Sequence, residues 1–198
     1  MAYNGKKAVM PGVLESHGLG LDSRSSALNL KRVSAIVVEK NQHLRETVAS
    51  VLRELGIRDV RAIARLDEAL WTFKDRPADI VLADWAPRFD GIELLRRLRH
   101  RGSSPDPYVP VIMVTANTEA HHVCYARDFG VTEFVAKPFN ARRIYSRIEA
   151  VVMKRRLFIQ SNSYFGPDRR RRAAERAGDN RRHIEPGRDV IIKDAIAA

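Results

Sequence analysis

The stretch VSAIVVEKNQHLRETVASVLRELG, residues 33–56, changes its periodicity part-way along. VSAIVV (33–38) is a short β-rich run that reads as a buried strand. From Asn41 onward, Leu44, Val48, Val51, Leu52 and Leu55 recur at helical spacing. Asn41 suits the N-cap of that helix and Gly56 suits its stop. Glu39 and Lys40 stand at the junction. A carboxylate at the C-terminal end of a strand, just before a helix, is a common way to build a site. The ammonium beside it is the unusual part.

The same strand-then-helix unit repeats outward from this stretch. DVRAIA (59–64) reads as a strand, and 67–75 as a short helix around Ala69, Leu70 and Phe73. ADIVLAD (78–84) is a buried strand, and GIELLRRLRHRG is a helix that Gly102 ends. VIMVTA (111–116) is a strand, followed by the helix TEAHHVCYARDFG ending at Gly130. TEFVAK (132–137) is the last strand. Asn140 then caps a helix with Ile144, Ile148, Val151 and Val152 on one face, which the pattern extends to about Phe158. Short strands apolar on both faces, alternating with helices, imply an α/β fold with a parallel sheet covered on both sides. Right-handed crossovers admit the doubly wound order 2-1-3-4-5 for five strands. Sites in such sheets form at strand C-terminal ends, near the switch point between strands 1 and 3. Glu39, Asp84, Thr115 and Lys137 all fall on that edge.

Composition bounds what the chain is expected to do. It has 198 residues, 44% of them hydrophobic, enough for one ordinary domain plus tails. A single cysteine, Cys124, excludes an intrachain disulfide. No apolar run approaches the ~18 residues that span a bilayer, and Pro11, Gly12 and Glu15 break the N-terminal apolar patch, so it is a poor signal peptide. The expectation is a soluble, cytoplasmic protein with no membrane contact. The net charge of +11 sits at the ends: +3 over residues 1–32, +2 over 33–153 and +6 over 154–198. Any long-range pull toward anionic partners comes from the ends. The expected division is a flexible N-terminal arm (1–32), a folded domain (33–156) and a basic C-terminal tail (157–198), largely disordered or docking on a partner.

Five short motifs in this order carry a resemblance: VVEK after the first strand, IVLADW at the third, DGIELL after a short loop, VTAN after the fourth and AKPF after the fifth. Together they resemble the receiver domain of bacterial two-component response regulators, single-domain type. The resemblance covers about 33–153 and implies the flavodoxin-like receiver fold. It implies that Asp84 accepts a phosphoryl group and that Lys137 contacts the phosphoryl oxygens. Thr115 then hydrogen-bonds the phosphate and shifts the following loop, with Phe134 at the aromatic switch position. It implies a Mg²⁺ held by the acid after strand 1 (Glu39), Asp84 and the backbone carbonyl of Ala86, and a cis peptide before Pro138. The implied partners are a histidine kinase or phosphotransfer protein and a downstream protein target. The target would meet the face of helix 4, strand 5 and helix 5, where Arg142, Arg143 and Arg147 are available. Such a protein signals by changing its contacts and is not an enzyme.

Two departures bear on the metal. Lys40 stands where the family's second acid belongs, a change of two charge units that repels Mg²⁺ and attracts Asp84. At ~4 Å and an effective dielectric near 20, one such pair is worth roughly 4 kcal/mol before desolvation. The loop DWAPRFDG is also one residue short of the family spacing, which displaces the Ala86 carbonyl. Two readings therefore stand side by side: Mg²⁺-dependent phosphorylation of Asp84, and a phosphorylation-independent interaction module with Lys40 in place of the metal. A Mg²⁺-dependent phosphatase on a similar sheet needs an acid two residues after its nucleophile, and position 86 is alanine.

His121 and His122 are neighbours on a helix and are expected to face different ways, which argues against a metal pair there. The tail QSNSYFGPDRRRRAAERAGDNRRHIEPGR (160–188) leaves three readings open. It is a solvated tail, or an arm binding nucleic acid through its arginines with Tyr164 and Phe165 stacked on bases. The third reading is that SYFGPD docks on an acidic partner or on the domain itself. YFGPDRR resembles strings that follow some single-domain receivers, which assigns it no role.

Overall fold

A computed structural model describes residues 29–86, 90–116, 118–153, 156–161 and 164–169. Five strands, β1 (Ser34–Val38), β2 (Asp59–Ile63), β3 (Ile80–Asp84), β4 (Val111–Thr115) and β5 (Glu133–Ala136), form one sheet. All pairs are parallel, in the order β2-β1-β3-β4-β5. The helices α1 (Gln42–Glu54), α2 (Leu66–Asp75), α3 (Gly91–Arg99) and α4 (Ala120–Asp128) supply the crossovers, and α5 (Ala141–Met153) follows β5. This is the expected doubly wound fold.

Side chains alternate along each strand, so the sheet has two apolar faces and two cores. On one face Ile36, Val38, Val81, Ala83, Val111 and Met113 pack against α2, α3 and the end of α4. On the other, Ala35, Val37, Leu82, Ile112, Val114 and Val135 pack against α1 and α5. Local chemistry sets the helix ends. The Asn41 side chain accepts from the Leu44 amide at 3.0 Å, and Asn140 accepts from Arg143 at 2.9 Å. Asp90 accepts from both Ile92 and Glu93, opening α3. Gly56, at φ +100°, takes the left-handed conformation that ends α1 without a Cβ penalty.

The ends of the domain differ from the sequence reading. Leu30 is buried in the α1–α5 core, so packing begins before Val33. α5 stops at Met153 and does not continue to Phe158. Instead β6 (Phe158–Ser161) and β7 (Tyr164–Pro167) pair antiparallel as a hairpin. Phe158 and Phe165 meet the Tyr108 ring edge-on, with centroids 5.2 and 5.3 Å away. Arg99, at the end of α3, lies under the Phe158 ring, 5.2 Å from its centroid. The Arg99 guanidinium donates to the carbonyls of Gly130, Pro107 and Val109 at 3.0, 3.0 and 2.7 Å. Burial pulls its pKa down to about 10, with Asp106 opposing, so it stays charged at neutral pH. The hairpin thus docks on the N-terminal edge of the sheet, opposite Glu39 and Asp84. The proposed arm over 1–28 and tail over 170–198 lie outside the described residues, as do residues 87–89.

Candidate functional site

Parallel register brings the polar strand ends together. Val38 pairs with Ala83, Asp84 with Val114 and Thr115 with Ala136, so the next residues of β1 and β5, Glu39 and Lys137, flank Asp84. Glu39 and Asp84 are each about 5% exposed, and both carboxylates meet one cation. Lys137 Nζ lies 2.6 Å from Glu39 Oε2 and 2.8 Å from Asp84 Oδ1. Glu39 Oε1 accepts from the Asn41 amide at 2.9 Å, which fixes the carboxylate against the start of α1. Burial pushes the Asp84 carboxyl above the usual range, Lys137 opposes this, and the Glu39 charge adds to it.

Thr115 is buried, and its Oγ1 donates to the Trp85 carbonyl at 2.5 Å. Gly91 has to be a glycine: a Cβ there would collide with the Asp84 carbonyl oxygen. The Lys137–Pro138 peptide is cis. Phe134 is half-buried against the α2–α3 core and lines a groove of about 710 Å³ with Thr118, Asn140, Arg142, Arg143 and Arg147.

Several residues do not take the places expected of them. Lys40 is exposed, and among the described residues no ion pair engages its ammonium. The cation beside Asp84 is Lys137. Successive side chains in extended backbone point opposite ways, so if Glu39 turns inward, Lys40 turns out. Arg45 binds the Glu39 and Lys40 carbonyls at 2.9 and 3.2 Å, a role that its place on α1 did not announce. Tyr164 and Phe165 face the domain, with Arg169 4.0 Å above the Tyr164 ring. His121 and His122 do not diverge: their ring centroids are 3.9 Å apart.

Glu39 and Asp84 offer carboxylate oxygens, the donors that suit Mg²⁺ with water completing the shell. The oxygen-only set fits the ion. Lys137 lies between the two carboxylates.

Residues 35–149 match the family described as the response regulator receiver domain. The phosphate regulon transcriptional regulatory protein PhoB of Pseudomonas aeruginosa is 31% identical over 120 residues, covering 60% of this chain and 51% of PhoB. The sensory transduction protein RegX3 of Mycolicibacterium smegmatis is 34% identical over 122 residues, 61% and 51% of the two chains. The chain thus spans about half the length of these curated relatives. Among solved structures, the receiver domain of a sensor histidine kinase from Pseudomonas aeruginosa PAO1 superposes with a TM-score of 0.52 at 25% identity. It covers 59% of this chain and 94% of its own, with a magnesium ion coordinated in the active-site cleft. Among the described residues no helix is long and apolar enough to cross a membrane.

Proposed function

The chain belongs to the response regulator receiver family, and from that premise we propose that Asp84 accepts a phosphoryl group from a phosphohistidine donor. The observation that carries this is the Lys137 ammonium held against both buried carboxylates at the sheet edge. An Asp84 oxygen attacks phosphorus, the P–N bond to the donor imidazole breaks, and its electron pair returns to the ring nitrogen. The barrier is mostly electrostatic, so positioning and charge neutralisation are what the protein must supply. Lys137 supplies a point charge to the incoming oxygens. Glu39 and Asp84 would hold Mg²⁺, whose chemistry there would be to neutralise phosphoryl charge. Thr115 exchanges its bond to the Trp85 carbonyl for one to the phosphoryl group, which alters the segment leading to α4. The groove lined by Phe134, Arg142, Arg143 and Arg147 is where a protein target reads that change. The protein signals through contacts and turns over no substrate.

A second reading rests on Lys40 in the second acid's place and on Lys137 already bridging the carboxylates. In it the domain is a phosphorylation-independent interaction module. Treatment with acetyl phosphate or beryllofluoride, with and without Mg²⁺, separates the two. Mg²⁺-dependent labelling of Asp84 in the mass spectrum supports phosphotransfer. A wild-type spectrum identical to that of Asp84→Asn supports the module.

A further inference from the structure

We propose that Glu119, His121 and His122 form a site for a divalent transition metal of the zinc class, separate from the Asp84–Lys137 centre. Each residue offers one ligand atom, and these atoms all lie within 4.8 Å of one another. Tetrahedral coordination at bond lengths near 2.0–2.1 Å needs donors about 3.3 Å apart, so rotamer movements that shorten the widest separation by up to about 1.5 Å close the set. Two imidazoles and one carboxylate are borderline donors, which favour zinc, nickel or copper over magnesium.

Three features show that these side chains are set up as a group. Glu119 occupies the N-cap of α4 yet makes no side-chain capping bond. Its Oε2 lies instead 3.3 Å from His121 Nδ1. His122 is held edge-on by the Trp85 ring, with centroids 5.3 Å apart, and its ring lies against that of His121. Glu119 and His121 are exposed and His122 is half-buried, so an ion has an open path and water completes its shell. The Glu119 charge offsets the positive end of the α4 dipole, which otherwise disfavours a cation there.

The site adjoins the sheet edge through Trp85, the residue after Asp84, whose carbonyl accepts from Thr115. A bound ion ties the residue before α4 to its first turn and fixes the His122 contact with Trp85. Binding of the ion by these side chains does not depend on phosphotransfer at Asp84.

The test is calorimetric titration of the full chain with zinc chloride, beside tryptophan fluorescence in a Trp71→Phe background with copper(II) as quencher. One zinc per chain with micromolar affinity is expected, together with quenching of Trp85. His121→Ala and His122→Ala should each weaken binding by roughly tenfold or more. Cys124→Ser and His43→Gln should bind as the wild type does. Circular dichroism confirms that each variant folds. Zinc binding unchanged in both His121→Ala and His122→Ala, or no stoichiometric binding by the wild type, overturns the proposal.

Discussion

Lys137 donates to Asp84 across 2.8 Å, and the same ammonium is held by Glu39 at 2.6 Å. One cation therefore serves two nearly buried anions. Removing it leaves two like charges together with no counter-ion. Lys137→Met is expected to cost about 3 kcal/mol, and most of that should return in the Lys137→Met, Asp84→Asn double variant. Urea denaturation of the four species of this cycle measures it. Additive losses would show that Lys137 and Asp84 are not coupled.

Asp84 titrates above the usual carboxylate range in the folded chain, chiefly because it is buried. It holds its proton more tightly folded than unfolded. Its stabilising contribution is present below the unfolded value and is lost as pH rises through the folded one. At neutral pH the wild type carries the cost of a desolvated charge that Asp84→Asn lacks. The variant should melt higher at neutral pH, with the gap closing as pH falls through the folded Asp84 range toward the ordinary carboxylate value. Thermal melts across that range decide it. A gap that widens in acid would mean that Asp84 holds its proton less tightly folded than unfolded.

Lys40 is exposed and engages neither carboxylate in an ion pair. Lys40→Asp should leave stability within ~0.5 kcal/mol, as for surface positions generally. It moves the local charge by two units toward the cation and should tighten Mg²⁺ by about tenfold, the equivalent of ~1.4 kcal/mol. Isothermal titration with magnesium chloride measures the shift. Equal affinity in both proteins would mean that position 40 does not govern the metal.

Gly166 sits where a Cβ would meet the Gly130 Cα at 2.7 Å and the Tyr164 hydroxyl at 2.7 Å. Gly166→Ala should lift β7 from the α4–β5 connection and open the covering over Arg99. A loss of about 1–3 kcal/mol is expected, the range for overpacking. Faster amide exchange should be confined to the hairpin and the residues around Tyr108. Unaltered exchange there would show that the backbone contact carries no stability.

The fold was legible because each crossover leaves a mark: an apolar run, a cap residue, a helical stripe. The four residues gathered at the sheet edge were legible for the same topological reason, since β3 and β4 end in Asp84 and Thr115, and Glu39 and Lys137 directly follow β1 and β5. Lys40 misled because adjacency in sequence is not adjacency in space when side chains alternate. The hairpin was missed because Phe158 and Phe165 meet a partner, Tyr108, about 50 residues away, and Gly166–Pro167 read as chain punctuation. The His121–His122 contact was missed because helix spacing fixes where Cβ atoms point but not the rotamers beyond them.

α4 is nine residues long, which makes it a rod of about 13 Å. Near one end His122 and Tyr125 hold the ring of Trp85, the neighbour of Asp84. At the other, Asp128 lies 3.1 Å from Arg169, and Gly130 meets the hairpin backbone. The rod bears on both poles of the domain. A rigid helix cannot slide or tilt at Trp85 without carrying its far end along. Arg169 therefore sits against the opposite arm of a lever whose near arm rests beside Asp84.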